Sequence, residues 1–269
     1  MLLPTKPEVL RAIEDLIEGG LKWRLWTRMG WLEIRRRYKR TVLGPFWASL
    51  SLAIFATSLG IIFSTLWGME MKNYLPFLTS GLIVWSCFST TLQEGSLALT
   101  SGEGILTQIK TPYSLFIYVV LWRNVIVFFH HIVVYIAVAL IFQVKVSIFT
   151  PLVIIGLVLQ IFNTAWMAFV LAIICTRFRD IQQLIQHFLQ IAMFLTPIFW
   201  KPTQLEGLKN RLLVDFNFMF HIIDVVRAPM LGNMPALNSY VQVLVMGFLG
   251  WALALFMYAK YRDRLIFWL

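Results

Sequence analysis

Ionisable side chains inside the apolar runs are the residues of this sequence that could do chemistry within a membrane. Glu94, Arg123, His187 and the neighbours His130 and His131 are of this kind, and they are scattered without the spacing of a catalytic pair. A charged side chain at the bilayer centre costs about 3 kcal/mol, so we expect Arg123 and Glu94 to face protein or water. Two roles stay open for them: a place in a substrate pore, or a bond that packs helices together.

Motifs that hold a nucleotide or activate a nucleophile do not occur in the sequence. It contains no GxxxxGK[ST], HExxH or GxSxG pattern, and Cys87 and Cys175 form no redox or metal-spaced pair. His130 and His131 lack a third ligand at a suitable spacing, which favours a packing role. We therefore predict that this chain is not an enzyme and has no catalytic residue, no metal site and no cofactor of its own.

A cationic block, RRRYKRTVLGPFW from Arg35 to Trp47, stands before the first long apolar run. Basic and aromatic residues also alternate upstream of it, which is typical of an amphipathic helix in the headgroup layer, although a solvated basic linker fits the same composition. Arginine makes bidentate contacts with phosphate, so we predict that this segment binds lipid phosphates. The alternative is that its charges only set the orientation of the chain. The predicted contacts are Arg24, Arg28, Arg35, Arg36, Arg37 and Arg40.

The composition places these residues in a membrane protein. The sequence is 59% hydrophobic and 13% charged, about half the charged fraction of a soluble domain. Most of its 23 Lys and Arg residues flank apolar runs on one side, which favours cytosolic termini and explains the net charge of +10 without nucleic acid. We predict an all-α integral membrane fold: residues 1–44 form cytosolic and interfacial amphipathic helices, and residues 45–269 form a six-span domain. The predicted spans are 45–68, 75–92, 113–142, 148–175, 184–200 and 239–258.

The outer segment between the last two spans, residues 201–238, is too long for a simple turn. Its apolar part is too short to cross the bilayer, so we predict a re-entrant hairpin, with a surface helix as the alternative. Within it, 212–231 is the predicted outer gate. Asp224 and Arg227 stand three positions apart, so on a helix they could pair, and three aromatic residues supply bulk at the pore mouth. These are Phe216, Phe218 and Phe220.

Five stretches together resemble the membrane subunit of ABC-type polysaccharide exporters, the permeases of O-antigen, capsule and teichoic-acid chains. They are Arg35–Trp47 before the first span, Ile109–Pro112 after the second, Phe178–Ile181 between the fourth and fifth, Thr196–Ile198 closing the fifth, and Asp224–Gly232 in the outer segment. The similarity covers nearly the whole chain in order. It departs from the family pattern at position 218, where Phe stands in place of a frequent Pro.

The resemblance implies a homodimer in the bacterial inner membrane, with the pore between the two copies. It also implies a separate cytoplasmic ABC ATPase in two copies, which binds ATP and Mg, and a polyprenyl-linked polysaccharide as substrate, O-antigen foremost. Force from an ATPase must enter through cytosolic elements attached to spans, so Glu103 and Lys110 in the short loop 100–112 are the predicted contacts. The alternative is that this loop is merely solvated. Other candidate functions are an enzyme acting on lipid-linked sugars and a scaffold subunit without transport.

Overall fold

A computed structural model describes residues 4–44, 46–204 and 214–269, and within these ranges every regular element is helical. Pro45 and residues 205–213, which include the first two positions of the predicted gate, lie outside them. The all-α membrane fold predicted above is confirmed. The α-helices are α1 Lys6–Leu21, α2 Trp23–Tyr38, α3 Phe46–Leu66, α4 Met71–Ser96, α5 Ala98–Ser101, α6 Glu103–Leu106, α7 Ser114–Ile141, α8 Leu152–Arg177, α9 Ile181–Leu195, α10 Phe218–Met230 and α11 Leu237–Trp268.

Five of these helices, α3, α4, α7, α8 and α11, are long and apolar enough to cross a membrane. Each overlaps one of the predicted spans. The remaining predicted span, 184–200, contains the 15-residue helix α9 followed by non-helical residues 196–200. At helical rise α9 covers about 22 Å, less than the roughly 30 Å of a hydrocarbon core. The count of six spans therefore stays a prediction.

Helix α8 lies at the centre of the bundle and is held to its neighbours by buried amides. Gln160 Nε2 donates to the Val84 carbonyl of α4 at 3.0 Å, and Asn163 Nδ2 donates to the Val243 carbonyl of α11 at 3.1 Å. Small residues let the backbones approach closely: a Cβ on Gly156 would lie 2.2 Å from a carbonyl oxygen of α10. Interhelical bonds and small residues of this kind hold helices together where lipid removes the hydrophobic driving force.

The first helix, α1, is attached to the beginning of α7. The buried Asp15 carboxylate accepts the backbone N–H groups of Tyr113 (3.2 Å) and Ser114 (3.1 Å), and Ser114 Oγ donates to the Asp15 carbonyl at 2.7 Å. Asp15 thus satisfies amides at the N-terminus of α7 that have no partner inside that helix. Arg262 of α11 lies 3.5 Å from the same carboxylate. A carboxylate from one helix thereby joins three.

Candidate functional site

Helix α9 presents three distinct faces. Ile185, Leu189 and Ala192 are buried against the bundle. A second face is exposed and apolar and carries residues such as Phe188 and Ile191, as a lipid-facing surface should. The third face is exposed and polar, and its members recur at helical spacing: Gln183, Gln186, His187 and Gln190. Polar side chains inside a membrane face protein or water instead of lipid, so the polar and apolar exposed faces of α9 suit different surroundings.

The polar stripe leads into a cavity of about 290 Å³ between α3, α4 and α9. Its polar lining is uncharged: Ser86, Ser89 and Gln93 of α4 and Gln190 of α9. Aromatic side chains, Phe55 and Trp85, complete the wall beside aliphatic residues. Hydroxyl and amide groups donate and accept hydrogen bonds, and ring faces offer apolar contact, so this lining suits a neutral, hydroxyl-rich molecule such as a sugar.

Arg123 and Glu94 contact each other. The sequence left open whether these two charged residues line a pore or pack helices together. Arg123 Nη2 donates to Glu94 Oε2 at 2.8 Å, and Asn124 Nδ2 donates to the same oxygen at 2.8 Å. Helix α2 joins this network from the other side: Arg37 donates to Glu94 Oε1 at 2.7 Å, and Glu33 pairs with Arg123. The contacts connect α2, α4 and α7, so they support the packing role.

The predicted phosphate contacts on and just after α2 fall into different environments. Arg37 is engaged by Glu94, and the Arg24 guanidinium lies 5.4 Å from the ring centre of Trp23. Arg36 lines a cavity beneath the helix. The other three have exposed side chains and no ion-pair partner in the described part of the chain. These are Arg28, Arg35 and Arg40.

In the non-helical segment 196–200 that follows α9, two backbone carbonyl groups accept hydrogen bonds from side chains of other elements. Arg227 of α10 donates to the Pro197 carbonyl at 2.6 Å, and Tyr74 of α4 donates to the Phe199 carbonyl at 2.6 Å. The Arg227 guanidinium also stacks 4.3 Å from the ring centre of Phe77. Non-helical backbone survives at membrane depth only where protein or water provides such partners, so Arg227 positions this turn.

Helix α10 forms most of the described part of the predicted gate, residues 214–231, and is largely buried among α4, α8 and α11. Phe220 is buried and Phe218 partly buried, whereas Phe216 is 78% exposed. Among the described residues no ion pair joins Asp224 and Arg227, and each side chain has a hydrogen-bond partner outside α10. Arg227 binds the Pro197 carbonyl, and Asp224 accepts the hydroxyl of Ser239 on α11 at 2.7 Å. Asp224 and Arg227 both lie on α10, as their spacing predicted, but that spacing does not indicate which residues they bind.

The predicted ATPase contacts, Glu103 and Lys110, are exposed, whereas the neighbouring histidines His130 and His131 pack within the bundle. Glu103 begins the short helix α6, Lys110 follows it, and both side chains are exposed. His130 Nδ1 bonds the Ile126 carbonyl at 2.8 Å and its ring packs edge-on against Phe46, while His131 is buried. The two histidines are thus engaged in helix packing.

Some residues that hold the helices together were not predicted from the sequence. Asp15 looked like one acid among several on a polar helix, and nothing local shows that it caps a helix 99 positions away. Gln160 and Asn163 did carry a signal, since amides within an apolar run need hydrogen-bond partners. The polar face of α9 was also visible as Gln183, Gln186, His187 and Gln190 at helical spacing.

Comparisons with known proteins agree with this architecture. Residues 24–231 match the family model of the ABC-2 type transporter membrane domain. The chain is similar to the O-antigen export system permease protein RfbA of Myxococcus xanthus, with 22% identity over 197 residues that cover 73% of this chain and 76% of the relative. It is also similar to the protein of that name from Klebsiella pneumoniae, with 23% identity over 176 residues that cover 62% and 65%. The chain is a multi-pass membrane protein and belongs to the ABC-2 type transporter family.

Proposed function

We propose that two copies of this chain form the membrane pathway of an ATP-driven exporter that moves a lipid-linked polysaccharide of the O-antigen type out of the cytosol. The names of its relatives support this substrate class. Both termini lie in the cytosol of a bacterial cell, and the polymer crosses the inner membrane on its polyprenyl carrier.

The observation that carries the proposal is the polar stripe of α9 together with the uncharged cavity between α3, α4 and α9. A single copy leaves the stripe exposed at membrane depth, where lipid would not satisfy its amides. A second copy facing the first would enclose a pathway between the two stripes. Such a pathway offers hydrogen bonds and ring faces without fixed charge, so a neutral sugar chain can move along it without binding tightly at one point.

The energy for transport comes from a partner, since this chain has no phosphate-binding loop. Two ATPase subunits bind ATP and Mg and dock from the cytosol on the segment of α5 and α6. Glu103 and Lys110 are exposed there and offer one charge of each sign. Helix α5 packs against α7 and α8, so a push on this segment is transmitted to the spans.

The exposed arginines Arg28, Arg35 and Arg40 are the part of the basic block best placed to attract the phosphates of the carrier lipid. They flank the membrane surface and have no ion-pair partner among the described residues. Each such cation contributes about 1 kcal/mol of attraction to an anionic surface. At the outer end, Phe216 lies at the edge of the predicted gate.

Replacing Gln190 by Leu tests the pathway. We expect export of the polymer in cells that depend on this chain to fall several-fold, because the cavity loses a hydrogen-bonding group while the helix keeps its packing. Ile191→Leu, next in sequence but on the lipid-facing side, is the matched control and should export normally. Membrane levels of both variants are measured in parallel. Unchanged export by a normally inserted Gln190→Leu variant would refute the pathway.

A further inference from the structure

A cavity of about 330 Å³ lies between the interfacial helix α2 and the spans α4 and α7. Four charged side chains line it: Glu33 and Arg36 from α2, Glu94 from α4 and Arg123 from α7. Two acids and two bases give the lining no net charge. The rest of the wall is mainly apolar, with Ser101 as a polar exception.

Three of the four charges are engaged in ion pairs: Glu94 and Arg123 with each other, and Glu33 with Arg123 through Oε2. Glu94 and Arg123 bind each other and are further engaged by Arg37, Asn124 and Glu33. Arg36 has no ion-pair partner in the described ranges, and the Glu33 side chain keeps 39% of its surface exposed. Glu33 and Arg36 stand three positions apart on α2, so they project on one face of the helix. That face offers one anion and one cation side by side.

An apolar groove of about 470 Å³ adjoins the cavity at Leu32, which lines both. Its walls are Thr27, Arg28 and Trp31 on α2 and Trp122 and Ile126 on α7, so apart from the cation Arg28 the lining carries no charge. On α7 the cavity reaches Arg123 and the groove reaches Ile126, about 4 Å further along the helix. A charged compartment thus adjoins a mainly apolar one that continues along α7.

We propose that this compound site binds one zwitterionic aminophospholipid. The ammonium group contacts Glu33, the phosphate contacts Arg36, and an acyl chain lies over Leu32 in the groove. The pairing of acid and base selects against purely anionic groups, since a pyrophosphate in the cavity would lie beside the carboxylates of Glu33 and Glu94. The site is therefore distinct from any contact with a polyprenyl pyrophosphate carrier, and its existence does not depend on the substrate proposed above.

The test is lipid binding to the purified, delipidated full-length chain in detergent, followed by native mass spectrometry. The probes are phosphatidylethanolamine, phosphatidylglycerol with the same acyl chains, and free phosphorylethanolamine. We expect the first to bind on the order of tenfold more tightly than the second, the contribution of one charged hydrogen bond. Free phosphorylethanolamine should not compete, because it lacks the acyl chain.

Variants separate this site from ordinary lipid around the protein. Glu33→Gln should remove the preference for the amine, and Arg36→Gln should weaken both lipids. Arg36 is exposed and outside the ion network, so that variant keeps its fold. Arg264→Gln, an exposed cation on α11, is the control and should bind like the unmodified chain. Equal binding of the two lipids, a preference that survives Glu33→Gln, competition by free phosphorylethanolamine, or displacement by farnesyl pyrophosphate at equal concentration would overturn the proposal.

Discussion

Glu94 is the residue on which the contacts between α2, α4 and α7 converge. Its two carboxylate oxygens accept hydrogen bonds from Arg37, Arg123 and Asn124. The Arg123 side chain is only 12% exposed and the Glu94 side chain 17% exposed, so removing the carboxylate leaves a cation in a poorly solvated place. Breaking a buried pair from one side is much more costly than losing a pair at the surface.

We predict that Glu94→Leu lowers the free energy of unfolding by about 3 kcal/mol, because Arg123 loses the less exposed of its two counter-charges and keeps only Glu33. Arg37→Gln removes a partner that is 47% exposed and should cost less than about 1 kcal/mol. Denaturant unfolding of the two variants in the same detergent measures the difference. Equal losses for both would show that the network behaves as a surface ion pair.

At the scale of elements, α1 is held against α7 by close backbone approach as well as by Asp15. A Cβ on Gly19 would lie 2.2 Å from Ser114 Oγ and 3.2 Å from the Leu115 backbone nitrogen. Even one methyl group at position 19 therefore pushes the two helices apart. Gly104 on α6 has no atom within 4 Å of the corresponding position.

We predict that Gly19→Ala detaches α1, seen as faster amide hydrogen exchange in residues 6–21 with little change in the spans. Gly104→Ala is the matched control, because the same methyl group meets open space there and exchange should stay as in the unmodified chain. Slow exchange in α1 of the Gly19→Ala variant would mean that α7 can shift to accept the methyl group.

At the scale of the whole molecule, the proposed exporter contains two copies of this chain. The exposed residue Phe216 offers a way to test whether the two copies meet at the predicted gate. Because Phe216 is 78% exposed and Phe220 only 9%, Cys introduced at 216 should label quickly from outside and Cys at 220 slowly. Cys87 and Cys175 are buried, so the background is low.

We further predict that cysteines at position 216 cross-link two copies and that the cross-link blocks export. Reduction of the cross-link should restore export. Quick labelling at 216 without any cross-link or effect on transport would favour the surface-helix alternative for this segment.

Sequence patterns predicted what depends on local chemistry. Long apolar runs without charge predicted the spans, and the spacing of 224 and 227 placed two charges on one helix face. Partners from distant parts of the chain escaped prediction: Arg227 binds a carbonyl 30 positions away, and Arg123 pairs with Glu33, 90 positions away. Glu33 and Arg37 belong to a basic segment for which the sequence predicted lipid binding or an effect on chain orientation. Only the packing of α2 against α4 and α7 shows that these two residues also form ion pairs between helices.

The attachment of α1 joins distant parts of the chain. Its partners include Arg262 and Asp263, and the Arg11–Asp263 pair joins residues 252 positions apart. Because α11 follows α1 in the chain, the contacts of α1 stay incomplete during synthesis until α11 has been made. A chain interrupted before α11 would leave Asp15 without its ion pair to Arg262 and α1 without its contacts to α11. The contacts of α1 are therefore complete only when both α7 and α11 have taken their places in the bundle.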